Sequence, residues 1–307
     1  MMKKESFLEK NGITEKYRAL ERRNPNLWTE LLEIGKKHDE SIPFLEASLQ
    51  GFINSIGYSD HIHSIRYRVK NTESLLVKII EKKFENADQY SKYNGINADN
   101  YYKIITDLIG VRIIVRYRYE WQEIHRLVWE KYNKANINYL VDYEKDYKSK
   151  EGVFIAEKPI VYYRHGETKK NYEVFGRDIF EIKLSDIGYS SIHYIINVNG
   201  NYIELQVRTI YDEAWSECDH DFVYKLNAGP KKLVLQRCSR LLSDITGAAD
   251  GLSSFMRDYF TEDVFNDRVS DEEETAQEQP ENLPMDESVY KKTSMNIDKV
   301  SDVLELF

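Results

Sequence analysis

Two runs of alternating apolar and polar residues, SIHYIINV and NYIELQVRT, meet at Asn199-Gly200. Asn-Gly accepts the positive φ angles of a type I′ turn, so it joins neighbouring antiparallel strands and little else. The chain must therefore contain a sheet. Side chains alternate across a strand, which puts Leu205 and Val207 on one face of the second run and Glu204 and Gln206 on the other. Ile192, Tyr194, Ile196 and Val198 make the partner strand well packed. Polar pairs on a strand usually just meet water, but here the carboxylate of Glu204 has Arg208 beside it and His193 facing it across the hairpin.

The sequence on either side supplies helices. Residues 14–56 are helical in pattern, with Leu27, Leu31, Leu32, Ile34, then Phe44, Leu45, Leu49, Phe52, Ile53 and Ile56 at helical spacing, and with Asn24-Pro25-Asn26 and Pro43 as punctuation. His61 to Val69 alternates like a strand. Asn71 or Thr72 can cap the following helix, whose apolar stripe is Leu75, Leu76, Ile79, Ile80 and Phe84. ITDLIGVRIIVRY reads as a turn into a buried strand, Gln122–Tyr132 as a short helix, and 138–182 as several β-like runs in polar loops. Thr209 caps a helix, IYDEAWSECDHDFVYKL, which ends at Gly229-Pro230; a longer helix runs to about Phe260. The expected class is α/β in the broad sense (α+β), a mixed sheet flanked by helices. The expected organisation is a helical extension over 1–57, a central domain over 58–228, a helical extension over 229–265, and an acidic tail over 266–307. Within that tail, 266–289 has the composition of a disordered segment, and NIDKVSDVLELF could form a short amphipathic helix.

The net charge of −9 is concentrated in this tail: eight acids and no Lys or Arg lie between Ser270 and Tyr290, and the remainder is nearly neutral. A local basic patch for an anionic ligand is therefore compatible with the acidic total. Cys218 and Cys238 make neither a disulfide framework nor a zinc site. No run approaches the ~18 apolar residues of a membrane span, and the N-terminus has no apolar signal core. The expectation is a cytoplasmic protein with no membrane partner.

Two further constellations carry chemistry. Arg68 and Lys70 share a strand face, and Ser74 and Lys78, four residues apart, share a helix face. If that strand feeds the helix directly, all four converge at its N-terminus, where backbone amides also favour phosphate; on spacing alone a solvated basic face is an equal reading. Asp107 directly precedes a very apolar strand. Such an edge carboxylate can hold Mg²⁺ for phosphoryl chemistry, although a turn aspartate is the commoner case. Arg112 inside that strand can stack its guanidinium on a purine.

Taken in order, R-x-K-x-x-x-S-x-x-x-K, D-L-I-G-V-R, G-Y-x-S-I-H, E-L-Q-V-R-T and A-W-x-E…H-x-x-x-Y-K resemble the synthetase domain of the RelA/SpoT family, from about Ser64 to Lys225. The resemblance is to a small, single-domain alarmone synthetase, without the family's hydrolase domain; His38-Asp39 is a lone His-Asp pair. It implies a GTP/GDP diphosphokinase that moves the β,γ-pyrophosphate of ATP to the 3′-hydroxyl of GDP or GTP, giving (p)ppGpp and AMP. By that resemblance, Arg68 and Arg112 sandwich adenine; Lys70, Ser74 and Lys78 hold the ATP phosphates; Asp107 and Glu204 are catalytic and bind Mg²⁺. Lys183, Tyr189 and His193 contact the acceptor nucleotide, with Tyr189 stacked on the base, and Gln206 lines the site. Relatives of the same fold act as toxins that pyrophosphorylate the tRNA CCA end or make adenosine alarmones. A tRNA acceptor would need basic surface, for which Lys145, Lys148, Lys150, Arg164, Lys169 and Lys170 are the candidates. The resemblance leaves the acceptor and self-association into a homo-oligomer open. It departs from the family at Asp186-Ile187, where Asn-Gly-Tyr is usual, and at Asp219-His220, where Glu-His is usual.

Overall fold

The turn at Asn199-Gly200 forms as expected, with φ of 51° and 92° at its two residues, both in the region that type I′ demands. It joins the two central strands of a seven-stranded mixed sheet. The computed structural model describes residues 3–86, 91–133, 152–167, 169–176, 178–224, 226 and 229–273. In chain order the elements are α1 (Lys4–Lys10), α2 (Thr14–Glu21), α3 (Leu27–Ile56), β1 (Ser64–Val69), α4 (Thr72–Glu85), α5 (Tyr101–Ile104), β2 (Ile109–Val115), α6 (Trp121–Tyr132), β3 (Val153–Ile155), β4 (Ile160–Arg164), β5 (Glu181–Ser185), β6 (Ser191–Val198), β7 (Asn201–Thr209), α7 (Ile210–Asp219) and α8 (Pro230–Glu273). Among the described residues no helix is long and apolar enough to cross a membrane.

The strand order is β1-β2-β7-β6-β4-β5, with β3 paired to β6. The β2/β7 and β4/β5 pairs are parallel and the others antiparallel. One face of the sheet is apolar: Val111, Ile113, Tyr194, Ile203, Leu205 and Val207 are all buried there. They share a single core with residues of α1–α4 and α6, including Phe7, Leu31, Phe52, Leu75, Ile79 and Ile124. The N-terminal helices are thus packed into the same core as the sheet.

Two helix details differ from the sequence reading. Pro43 does not break α3, which runs through it. Proline removes the N–H that would reach the Asp39 carbonyl, but Leu45, Leu49, Phe52 and Ile56 keep the buried stripe in phase beyond it. Phe44 lies off that stripe and is exposed. In α4, Phe84 is also exposed and Lys83 takes the buried place. Its ammonium donates to the carbonyls of Asn94 at 2.9 Å and Ile96 at 3.4 Å, while burial lowers its pKa.

Thr209 caps α7 as read from the sequence, in a capping box with Asp212. The helix is shorter than expected: after Asp219 the backbone widens to a π turn over His220–Tyr224. Pro230 opens α8, where its missing N–H costs nothing, and α8 continues to Glu273, past the expected end near Phe260. The first eight residues of the segment expected to be disordered, 266–273, are therefore helical. The rest of the acidic tail and the terminal NIDKVSDVLELF lie outside the described residues, as do Lys145, Lys148, Lys150 and Lys225.

The inner face of α8 is polar. Trp215 Nε1 donates to the Ser239 carbonyl at 2.8 Å, and Ser239 Oγ donates to Asp219 at 2.6 Å. Ser243 Oγ donates to the Gly188 carbonyl at 2.9 Å. Arg118 pairs with Asp250 at 3.1 Å and donates to the Gly247 carbonyl at 3.2 Å. Arg164 donates to the Ser243 carbonyl at 3.0 Å and pairs with Glu167 and Asp212. Gly247 lets Arg164 pack closely against α8: a Cβ there would lie 2.9 Å from Arg164 Nη1, and the guanidinium would have to shift. Arg164 is thus buried and paired, and is not the RNA-facing cation considered above.

Candidate active site

The strand registers place most of the expected residues on the face opposite the core, in rungs. Arg66, Arg112, Gln206 and His193 are aligned across β1, β2, β7 and β6; Arg68, Gly110 and Glu204 form the next rung. Because Gly110 has no side chain, the Arg68 stem can lie across it; a Cβ at 110 would sit 3.8 Å from Arg68 Cγ. Arg68 is exposed, and among the described residues it has no ion-pair partner.

The half expected to hold phosphates forms where β1 turns into α4. Asn71 caps α4, its Oδ1 accepting from the Ser74 N–H at 2.8 Å. That leaves the Ser74 side chain exposed one turn before Lys78. His38 Nε2 meets the Lys70 carbonyl at 2.7 Å, and Thr72 Oγ1 donates to Asp39. The His38-Asp39 pair therefore braces the joint that presents Lys70. Lys70 and Lys78 converge on one oxygen of Asp107, at 2.9 and 2.6 Å from its Oδ2. Burial works against the Asp107 charge, yet Lys78 and Lys70 together hold its pKa below the ordinary carboxylate value. Burial lowers Lys70, and the charges of Lys78 and Arg68 act in the same direction. Asp107 Oδ1 is buried and has no hydrogen-bond partner.

Glu204 lies within electrostatic reach of this cluster. Burial raises its pKa, as does the charge of Asp107, but the hydrogen bond from His193 and the charges of His193 and Lys78 together outweigh them, and the net shift is downward. His193 Nδ1 lies 3.2 Å from Glu204 Oε1, and Gln206 donates to Oε2 at 2.9 Å.

A chain of contacts continues to the side where the acceptor nucleotide is expected. His193 Nε2 meets Tyr189 Oη at 2.7 Å, and Arg208 donates to the same oxygen at 2.8 Å. The Tyr189 ring is half-buried. It stands edge-on to Tyr162 at 5.6 Å, with the Arg208 guanidinium 5.1 Å from its centroid. Its hydroxyl is therefore a junction of the network as well as the tip of a ring. Tyr189 follows Gly188, whose φ of 89° and whose contact with α8 both exclude a side chain: a Cβ would meet Ser243 Oγ at 2.3 Å. Lys183 is on the same sheet face, in register with Tyr162, but pairs with Glu181 at 2.9 Å. Its strand is three places from that of Glu204, about 14 Å at usual strand spacing, so it marks the far rim.

Two residues that sequence reasoning left unassigned organise the arginines. Glu213, on the first turn of α7, takes Arg66 at 3.1 Å, Arg112 at 3.2 Å and Arg208 at 3.3 Å. Glu217, one turn later, takes Arg112 at 2.7 Å. Both hold Arg112 by its Nη1 edge, which leaves the flat face of the guanidinium for stacking. The available signal was their i, i+4 spacing behind the Thr209 cap.

The family model described as "Region found in RelA / SpoT proteins" matches residues 67–229, which takes in every one of these groups on the sheet, α4 and α7 except Arg66, and leaves out His38 and Asp39 of α3. A search of curated proteins returned no match. Among solved structures, the chain is similar to small alarmone synthetase 1 from Bacillus subtilis bound to its product pppGpp, at 17% identity over 75% of this chain and 96% of that one, with a TM-score of 0.41. It is similar to a GTP pyrophosphokinase family protein from Streptococcus pneumoniae, at 17% identity over 76% and 95%, TM-score 0.41. It is also similar to small alarmone synthetase 2 from B. subtilis, at 19% identity over 76% and 99%, TM-score 0.41.

Proposed function

The chain belongs to the RelA/SpoT family through residues 67–229, and from that premise we propose that it is a pyrophosphokinase using ATP as donor and GDP or GTP as acceptor. The observation that carries the reading is the cluster of Lys70, Lys78 and Asp107 beside Glu204, with one Asp107 oxygen buried and unpartnered.

In this reading the 3′-oxygen of the acceptor ribose bonds to the β-phosphorus of ATP. The bond from that phosphorus to the oxygen bridging it to the α-phosphorus breaks, and AMP leaves with that oxygen. Lys70, Lys78 and Ser74 gather the phosphates at the start of α4, where charge on the transferring group needs fixed cations. Arg68 and the exposed face of Arg112 bracket the adenine. Glu204, kept ionised by His193, accepts the hydrogen bond of the 3′-hydroxyl, orients it and takes its proton as the bond to phosphorus forms. The Tyr189 ring takes the guanine face, and the Glu204–His193–Tyr189–Arg208 chain sets the distance between base and reacting hydroxyl.

The residues fit Mg²⁺. Among the described residues no group of three or more His, Cys, Asp or Glu is placed to hold a metal alone. Two carboxylates, with phosphate oxygens completing the shell, are the usual arrangement for this ion. Asp107 Oδ1 and Glu204 would hold it, and when bound it would offset negative charge on the phosphates. A cytoplasmic setting, where these nucleotides are found, goes with this reading.

The test is ATP labelled on the β-phosphate, incubated with Mg²⁺ and, separately, GDP, GTP, ATP alone and bulk tRNA. The expected products are AMP and a labelled guanosine nucleotide. Labelled ADP would mean ordinary γ-phosphoryl transfer and would sink the proposal, and a label appearing only in tRNA or in an adenosine product would replace the acceptor.

A further inference from the structure

α8 meets the rest of the chain through small or polar residues. It buries Ser239, Ser243, Gly247, Asp250 and Ser254, and turns a stripe of large apolar residues, among them Leu241, Ile245, Leu252 and Phe255, outward. A joint made of hydrogen bonds and paired charges, with little apolar area, adds modest stability but fixes distances. Two of its contacts reach the loop between β5 and β6. Ser243 Oγ donates to the Gly188 carbonyl at 2.9 Å, and Arg240 donates to the Asp186 carbonyl. From within the loop, Ser185 Oγ accepts from the Tyr189 N–H at 2.9 Å. The family model stops at residue 229 and α8 starts at Pro230, so both outer contacts come from beyond the matched region.

We propose that Ser243 and Arg240 are positioning residues for the acceptor nucleotide: they hold the 186–189 backbone, and through it the Tyr189 ring, where the base is received. The inference rests on the proposed function, in which that ring takes the guanine face. On the sheet side, His193 and Arg208 hold Tyr189 by its hydroxyl, 2.7 and 2.8 Å away. A ring fixed at its tip alone can still tilt. α8 fixes the other end, at the backbone, and small displacements there carry a large cost in reactive geometry. Ser243 is a firm support. It is 1% exposed, and its carbonyl accepts from Arg164 at 3.0 Å, a guanidinium itself paired with Glu167 and Asp212. Gly188 belongs to the same device, since any side chain there would push Ser243 away. Trp215, its ring 6.2 Å from that of Tyr189, donates to the Ser239 carbonyl one turn earlier on α8. One stretch of helix thus sets both the loop and the aromatic neighbour of its tyrosine.

The test compares the full chain with its Ser243→Ala, Arg240→Ala and Arg240→Lys variants, in AMP release and in amide hydrogen exchange without nucleotide. Ser243→Ala should raise the KM of the guanine nucleotide about tenfold and Arg240→Ala about threefold, the scale of one lost hydrogen bond, while the KM of ATP stays put. Arg240→Lys keeps a donor and should stay near the parent. Exchange over 186–190 should quicken in Ser243→Ala while β7 stays protected. Arg240 is exposed, so its variants keep the fold even if Ser243→Ala does not. An unchanged acceptor KM overturns the proposal even where exchange quickens, because the contacts would then be structural only. Equal rises in both KM values overturn it too, as a general loosening of the site. A parent chain that labels a different acceptor replaces the acceptor of the proposed function, and the KM of that acceptor then decides by the same split. A parent chain that labels nothing removes the proposed function and acceptor positioning with it.

Discussion

On β7, Leu205 and Val207 lie in the apolar core with α3, α4 and α6, while their neighbours Glu204 and Gln206 lie on the face that α7 closes with Glu213 and Glu217. The first side is held by area removed from water, which is non-directional and forgiving of small shifts. The second is held by paired charges, whose desolvation roughly offsets their attraction. They contribute little net stability and fix angles instead. Stability and positioning are thus assigned to opposite faces of one sheet, one residue apart along the chain.

The largest expected effect is on the apolar side. Leu205→Ala should cost about 2–5 kcal/mol of stability, whereas Gln206→Ala, next to it, should cost about 1 kcal/mol or less. Denaturant midpoints check this, and equal costs at the two positions would break the comparison. Next comes chemistry without stability. Asp107→Asn should lower turnover at least ~100-fold, because it removes charge from the centre where phosphate charge is offset, and should keep a cooperative melt. AMP release measures it; near-normal turnover would remove Asp107 from the reaction.

The smallest effect separates the two sides by pH. His125 is buried on the apolar side, 4.4 Å from the Phe175 ring and 4.8 Å from that of Phe180, with Nδ1 3.0 Å from Tyr194 Oη. Burial, and secondarily Arg126, lowers its pKa to about 4. An unfolded chain takes up that proton near pH ~6.5. Between those values the unfolded state binds more protons, so stability falls as the solution is acidified. Asp107 and Glu204, held below the ordinary carboxylate value, hold their contribution until the pH falls through the carboxylate range. His125→Phe should flatten the loss between about pH 7 and about pH 5, by one or two kcal/mol, in paired denaturant titrations. An unchanged slope would show that the histidine does not titrate on folding.

The hairpin, the α4 and α7 caps and the alternation on β7 were legible because each rests on neighbours in sequence. The candidate site residues could be named from the sequence, but their alignment in rungs could not, since parallel pairing of β2 with β7 brings Arg112 to Gln206 across 94 residues of chain. Glu213 looked like the acidic first turn of an ordinary helix, and Glu217 stood in the A-W-x-E motif without a role; only the arginines converging on them reveal their use. Phe44, Phe84 and the outward stripe of α8 share one cause. Periodicity identifies an apolar face, and only tertiary contacts say whether that face turns inward.

The site is also written in parity. Arg68, Arg112, Glu204, Gln206 and His193 reach one side because each occupies the correct alternate position of its strand. A point substitution alters one of them. A single residue inserted in β7 ahead of Glu204 would exchange the whole polar set for Leu205 and Val207, turning two carboxyl and amide groups into the core and two hydrocarbons into the cleft. An inserted residue is therefore expected to be tolerated only at the strand ends and connections, and not inside β2, β6 or β7.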